Sequence, residues 1–367
     1  AGAKVVLCME GNVEVVKMLE GRVPAEILIR PVETAFEGET PAFEPPAITP
    51  DDLCFLQFTS GSTSKPKGVM VSHRNLVANG LAFLGTHGLD RNPDDVGVSW
   101  LPLYHDMGLI GFVLATLLVD LQAVLMPTEL FARSPRLWLE TITKYRGTIT
   151  YAPNFAYQLV TKRLKPKDLE GLDLSRLRVA GCGAEPIRAQ TLREFADKLA
   201  PSGFRSIAFL PSYGMAEATL AITFHGLESE LSVDRVDTDA MTQGFARPAD
   251  ADTKSVSEVV SCGKGFPGHE VMVVDESGKP LPERRVGQVV TRGPSVTAGY
   301  FENEAATAES WKDGWLATGD LGYVADGNLH ICGRIKDLII IRGANHYPQD
   351  IEWVVGDLEG VRRGNVV

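Results

Sequence analysis

Short apolar runs bounded by turn residues recur along the chain, and what separates them changes partway. Near the start, Val5-Val6-Leu7-Cys8 reads as a strand, Val13 to Leu19 as a helix and Ile27-Leu28-Ile29 as a second strand. This rhythm predicts a parallel sheet, because parallel neighbours need a crossover long enough to hold a helix. A connector rich in proline (Pro41, Pro45, Pro46, Pro50) leads to a strand over Leu53 to Phe58, then a Gly/Ser/Thr loop and a helix beginning near Ser72 to Asn75. Val96 to Trp100 and Ala123 to Met126 read as strands, and Pro135 to Tyr145 as a helix. Leu177 to Ala180 is a strand entering the turn Gly181-Cys182-Gly183. Ala189 to Leu199 is an amphipathic helix with Leu192, Phe195, Ala196 and Leu199 on one face.

After Thr223 the helices drop out. Glu228 to Glu258 is acidic and poor in large apolar residues, which predicts a surface insertion. Beyond Cys262 the runs are short and the turns close together: His269 to Val274, Gly287 to Thr291, Gly319 to Tyr323 and Leu329 to Ile331. That texture predicts a small antiparallel barrel or sandwich following an α/β part with mostly parallel sheets.

The chain has 367 residues, enough for two or three domains with ample core. Its net charge of -11 argues against a duplex or an anionic membrane as partner and leaves room for small anions in a local cationic pocket. The five cysteines lie far apart with no C-x-x-C pair, which disfavours a zinc module or disulfide framework and suits a reducing, cytoplasmic setting. Nothing in Ala1 to Glu10 reads as a secretory signal. The longest uncharged apolar run, Met107 to Val119, is too short for a bilayer and reads as a buried helix, so no transmembrane segment is expected.

The densest chemical signal is Thr59-Ser60-Gly61-Ser62-Thr63-Ser64-Lys65-Pro66-Lys67-Gly68. Small residues let amides and hydroxyls close around anionic oxygens, and the lysines add charge. Its expected place, after a strand and before a helix, is where phosphates are held. It is not a Walker A loop, because Lys67 precedes Gly68 and no G-K-[ST] ending follows; this excludes a P-loop kinase. Ser62 and Lys65 fit S-x-x-K, but no K-T-G accompanies them. Gly263-x-Gly265-x-x-Gly268 matches a dinucleotide fingerprint on paper. It precedes the strand-like Glu270 to Val274 and holds Pro267, so it is a turn. Gly183-Ala184-Glu185 and Tyr213-Gly214-Met215-Ala216-Glu217 each follow an apolar strand. Tyr213 fits a purine face or an ordinary packed aromatic, and Glu217 fits a Mg²⁺ ligand. His105-Asp106, Asp320 and the Arg334-Ile335-Lys336-Asp337 cluster each admit a structural reading as readily as a catalytic one.

Taken in order, Phe58 to Asn75, Leu101 to Leu109, Tyr213 to Leu220, Thr318 to Gly322 and Gly333 to Glu352 resemble the adenylate-forming superfamily of acyl-CoA synthetases, adenylation domains and luciferases. Tyr213 to Leu220 (YGMAEATL) and Asn345 to Glu352 (NHYPQDIE) resemble its fatty acyl-AMP ligases. The resemblance implies residues 1–225 as α/β subdomains of an AMP-binding core, 226–335 as an insertion and small β subdomain, and 336–367 as the hinge and beginning of an α+β lid. It implies ATP-driven activation of a fatty acid, with Mg²⁺, and transfer to the phosphopantetheine thiol of an acyl carrier protein or of a carrier domain in a polyketide or peptide synthase. Thr59, Ser60, Gly61, Ser62, Thr63 and Lys67 then close on the β- and γ-phosphates, and Glu217 matches the Mg²⁺ position. Tyr213 and the Gly183-Ala184-Glu185 turn match the adenine surface, with Gly214, Met215 and Ala216 in the same nucleotide-binding stretch. Asp320 and Arg334 match ribose contacts, His105 the neighbourhood of the reacting carboxylate, and Lys336 the hinge.

Three departures stand out. Ser64 replaces a usual glycine, and Ala216 a common threonine. The chain stops at Val367, so the lid lysine that bridges carboxylate and α-phosphate in the family has no counterpart among these residues. A fatty acyl-CoA synthetase and a lid-less acyl-adenylate-binding module are the competing readings.

Overall fold

The computed structural model describes residues 4–18, 27–34, 44–59, 66–341, 344–356, 358 and 361. It falls into two units, Ala1–Asp52 and Leu53–Val367. In the first, strands Val5–Cys8 and Leu28–Pro31 pair in parallel, with a helix over Val13–Lys17 between them in sequence. The expected strand–helix–strand order holds; Leu19 and Pro41 lie outside the described residues.

The second unit is built on a seven-stranded sheet. Its order is Lys264–Gly265, Ala221–Phe224, Phe209–Gly214, Val179–Cys182, Ile149–Ala152, Val96–Ser99 and Gln122–Leu125. The last five run parallel, and Ala221–Phe224 and Lys264–Gly265 turn back antiparallel. Ile149–Ala152 and Val179–Cys182 are buried at every position; the second reads as an apolar run, and the first, which carries Thr150, does not. Helices Arg136–Tyr145, Asn154–Arg163 and Ala189–Leu199 send Trp138, Tyr157, Phe195 and Leu192 into the core against that sheet. Trp138 Nε1 donates to Thr150 Oγ1 at 2.9 Å, so this indole satisfies its donor inside the core.

Two local expectations change. The helix expected near Ser72 to Asn75 is there, but an unforeseen strand precedes it: Leu53–Thr59 and Lys67–Ser72 form an antiparallel hairpin, with Thr59 opposite Lys67. Val69 and Val71 are fully buried, and β-branched residues alternating inward make this a strand. The helix follows at His73–Leu84, capped by Ser72, whose Oγ accepts from the Asn75 amide at 3.1 Å. The Met107 to Val119 run is not one buried helix. A short helical turn at Asp106–Gly108 passes into a π-helix, Leu109–Leu114, then Ala115–Leu118. Ile110, Phe112 and Ala115 are buried, whereas Leu117 is 74% exposed.

The antiparallel part matches expectation: Glu270–Val274, Gly287–Arg292, Trp315–Ala325 and Asn328–Arg334 pair in succession around Val273, Val289 and Leu329. The paper dinucleotide motif opens no helix: Gly263 runs into strand Lys264–Gly265, and Pro267-Gly268 is a turn with Gly268 at φ +79°. The acidic segment, expected as a surface insertion, is folded rather than loop. Val233–Asp237 and Val256–Val260 form a hairpin spanned by a helix at Thr238–Thr242. Three of its apolar residues face inward: Val236, Met241 and Ala246 are buried with Tyr323, Ala325, Cys332 and Tyr347. Three of its acids pair with arginines, Asp234 with Arg284 (2.9 Å), Asp237 with Arg247 and Glu258 with Arg193 (2.8 Å).

Candidate active site

In open α/β sheets ligands gather beyond the carboxyl ends of parallel strands. Here that edge carries one cavity of about 500 Å³. Strand Val179–Cys182 ends at Gly183, where a Cβ would lie 2.9 Å from both the carbonyl oxygen and Oγ of Ser212. Only glycine lets this turn approach its neighbour so closely. Ala184 follows at φ +68°, left-handed backbone held at the cavity wall. Glu185 turns away: its Oε1 accepts from the Phe155 amide at 2.5 Å, capping the helix at Asn154–Arg163, and it does not line the cavity.

Strand Phe209–Gly214 presents Tyr213, and Gly214 to Glu217 continue along the wall. Tyr213 donates to Asp320 Oδ2 at 2.5 Å, and Asp320 Oδ1 stands 3.3 Å from Arg334 Nε. Asp320 therefore sits behind Tyr213 and Arg334, which do line the cavity. Burial pushes the Asp320 carboxyl up, against the Tyr213 hydroxyl and Arg334, which favour its anion. Burial and then the Asp320 charge push the Tyr213 hydroxyl well up, so it stays protonated and donates.

Glu217 is 8% exposed, and its Oε1 accepts from Tyr300 Oη at 2.7 Å. Lys67 Nζ lies 4.7 Å from the centre of the same Tyr300 ring. Tyr300 thus joins the lysine of the hairpin to the buried carboxylate. It escaped sequence reasoning because Gly299-Tyr300 carries no spacing signal. Thr59, Lys67 and Lys336 line the cavity; Ser60, Gly61, Ser62 and Thr63 lie outside the described residues. Among the described residues no three His, Cys, Asp or Glu side chains converge as a metal cluster. A buried single carboxylate opening on a cavity fits a Mg²⁺ that takes its other ligands from substrate phosphates and water.

His105 follows strand Val96–Ser99 on a loop that Gln57 fixes, its Nε2 donating to the Tyr104 carbonyl at 2.9 Å. His105 Nδ1 is 2.6 Å from Asp106 Oδ1. The Met107 amide lies closer to Asp106 Oδ1 (2.7 Å) than to His105 Nδ1 (3.2 Å), which leaves Nδ1 to donate to the carboxylate. The Asp106 hydrogen bond and charge raise His105 above its ordinary 6.5 against the pull of burial. The stabilisation from this pair is therefore complete below pH 6.5 and lost as pH rises through the elevated value. Asp106→Asn is expected to move the His105 midpoint down toward that ordinary value, read from the imidazole proton resonance during an NMR titration. An unmoved midpoint would assign the shift to something other than Asp106.

The cavity has a second arm that the motifs did not foretell. Phe83, Leu84, Leu89, Phe112, Leu121 and Ile149 line it, drawn from five separate stretches of chain. Each looks in sequence like ordinary core.

The chain matches the family described as AMP-binding enzyme over residues 1–301. It belongs to that family. A Caulobacter vibrioides relative that carries the provisional name acyl-CoA synthetase is 44% identical over 88% of this AMP-binding chain and 56% of its own length. The medium-chain-fatty-acid–[acyl-carrier-protein] ligase TtuA of Teredinibacter turnerae is 37% identical over 86% and 51%. A solved structure from a study of the fatty acyl-adenylate ligases of E. coli and L. pneumophila superposes with a TM-score of 0.91 at 41% identity, covering 98% of this chain and 65% of that one. The AMP-binding chain thus spans about half the length of the curated relatives it matches. Among its described residues, no helix is long and apolar enough to cross a membrane.

Proposed function

We propose that this AMP-binding chain is the core of a fatty acyl-AMP ligase working in the cytoplasm. The observation that carries this reading is a single cavity with an apolar arm (Phe83, Leu84, Leu89) and a polar arm (Lys67, Glu217, Tyr213). A fatty acid with its carboxylate at the junction would meet the α-phosphate of ATP there. One carboxylate oxygen attacks the α-phosphorus, the bond to the bridging oxygen breaks, and pyrophosphate leaves with the electron pair, giving acyl-adenylate. In this reading Lys67 supports the departing β- and γ-phosphates, and the Gly183-Ala184 turn and Tyr213 flank the adenine. Arg334, anchored by Asp320, faces the ribose, and His105 stands by the carboxylate. Bound at Glu217, Mg²⁺ would neutralise phosphate charge. Lys336 is assigned the hinge from which a lid brings the carrier thiol. Sulfur then attacks the acyl carbonyl, and AMP leaves.

The test is fatty-acid-dependent ATP–pyrophosphate exchange by the full-length enzyme, followed by mass measurement of holo carrier protein and of CoA after the reaction. Exchange with acylated carrier protein and no acyl-CoA supports the reading. No exchange with any fatty acid defeats it, and acyl-CoA as the main product favours the second reading, a CoA synthetase, which the name of the Caulobacter relative motivates. Lys67→Ala is expected to weaken ATP binding about ten- to a hundredfold, the loss of one charge-assisted hydrogen bond of about 1.5–3 kcal/mol. Unchanged affinity by isothermal titration would remove Lys67 from the phosphate site.

A further inference from the structure

Glu217 and Leu220 stand three residues apart, and both line the cavity, one with a carboxylate and one with an apolar side chain. Between them Thr219 adopts φ +70°, ψ -62°. The Leu220 amide donates to the Ala218 carbonyl at 2.9 Å, which closes a γ-turn of the rare, strained kind centred on Thr219. A β-branched residue at positive φ is a steric outlier, and such backbone persists only where its surroundings over-determine it.

The surroundings do so here. Thr219 is fully buried, and its Oγ1 donates to the Ser295 carbonyl at 2.7 Å. Ser295 is itself fully buried, with its Oγ 2.5 Å from His269 Nε2. Two residues on, Thr297 donates to the Glu217 carbonyl from both its amide (2.9 Å) and its Oγ1 (3.0 Å). The carbonyls on either side of Ser295, those of Pro294 and Val296, are held by Asn75 Nδ2 at 2.8 and 3.1 Å. Beyond the turn, buried Asn79 clamps Ala221 through both its amide and its carbonyl. On the other side, a Cβ at Gly214 would lie 1.9 Å from the Leu220 carbonyl oxygen, which leaves the turn no room to open toward its own strand.

We propose that Thr219 is a positioning residue: its hydroxyl, anchored on Ser295, holds a strained turn that sets Glu217 and Leu220 together and so couples the nucleotide half of the cavity to the acyl half. This rests on the reading of the two arms given above. The mechanism is geometric. With the turn locked, one backbone conformation presents the Glu217 carboxylate and the Leu220 side chain at once. With the hydroxyl gone, the backbone can relax toward negative φ, and the two side chains no longer present simultaneously.

Thr219→Val keeps the shape and removes the hydroxyl, Thr219→Ser keeps the hydroxyl, and Thr219→Gly accepts positive φ but has no anchor. In the full-length enzyme, binding of AMP alone and of a non-hydrolysable acyl-adenylate analogue is measured by calorimetry, and hydrogen exchange of the peptide spanning 216–221 is followed without ligand. Thr219→Val and Thr219→Gly are expected to bind the analogue about thirtyfold more weakly, equivalent to about 2 kcal/mol. AMP should change less than about threefold, and exchange in 216–221 should quicken at least about tenfold, since local opening sets that rate. Thr219→Ser should stay within about threefold of the parent in every readout. Analogue affinity unchanged in Thr219→Val, or fully retained in Thr219→Gly, overturns the proposal. If the parent enzyme binds no acyl-adenylate analogue, the fatty acyl-AMP reading falls, and exchange still decides the lock: unaltered exchange in Thr219→Val overturns it.

Discussion

Replacing residues 228–258 by a short Gly/Ser linker in the full-length enzyme is expected to leave acyl-adenylate formation intact and to raise acyl-CoA at least about a hundredfold. The expectation follows from what this segment covers. Tyr347, beyond the assigned hinge at Lys336, is 5% exposed, and it is buried together with Val236, Met241 and Ala246 of the segment. Nearby, Gln349 Nε2 donates to the Cys332 carbonyl. The hairpin is in turn bound to the small β subdomain, because Asp234 accepts from both Tyr323 Oη (2.8 Å) and Arg284 Nη1 (2.9 Å). Chain leaving the hinge is therefore packed against the hairpin, and any lid pose that pulls Tyr347 out exposes this cluster. A bias of about 3 kcal/mol against one pose lowers its population more than a hundredfold. Met241→Ala, a smaller change, should move product in the same direction without removing the hairpin. Adenylation that persists with no detectable acyl-CoA would clear the hairpin of this role and move the rejection of CoA to the pocket for its nucleotide end.

Arg178→Ala is expected to lower the unfolding free energy by about 3–5 kcal/mol. Asp95, just before strand Val96–Ser99, is 3% exposed. Arg178, just before strand Val179–Cys182, reaches it with Nε at 2.8 Å and again through Nη2. Thr148 Oγ1 donates to Asp95 Oδ1 at 2.7 Å, and Arg178 Nη1 caps the Leu89 carbonyl at 2.8 Å. Burial pushes the Asp95 carboxyl up, but the hydrogen bonds from Arg178, the Asn92 amide and Thr148 outweigh it and hold it below its ordinary value. Because the folded value is depressed, this stability is fully present above the unfolded value and is lost as pH falls through the folded one. The penalty of Arg178→Ala, read from urea unfolding, should accordingly shrink between neutral pH and about pH 3. Adding Asp95→Asn should recover part of the loss, since the variant then buries no unpaired charge. A penalty below about 1 kcal/mol at neutral pH would mean the pair is solvated and not a tie between strands.

The sequence by itself determined the order of elements and most of the polar arm. Parallel strands buried on both faces tend to be apolar runs, so Val179–Cys182 is written locally, whereas Ile149–Ala152, which carries Thr150, is not. The turns beyond Gly183 and Tyr213 follow those strands directly, and the carboxyl edge of a parallel sheet brings them together whatever lies between. Tertiary structure decided the rest, for a common reason: burial by distant chain is not recorded in local composition. Lys67, which reads as part of the Gly/Ser/Thr loop, opens a strand because Leu53–Thr59 pairs with it. Glu185, beside two residues that do line the cavity, leaves it to cap the helix at Asn154–Arg163. Tyr300 reaches Glu217 across 83 residues of chain, and Thr219 reaches Ser295 across 76. The acidic segment becomes packed structure with only a few buried apolar side chains, helped by arginines that pair three of its carboxylates. The apolar arm was hidden most completely. Its residues obey the same inward-facing pattern as any core position, and only the gap the packed elements leave between them makes it a site.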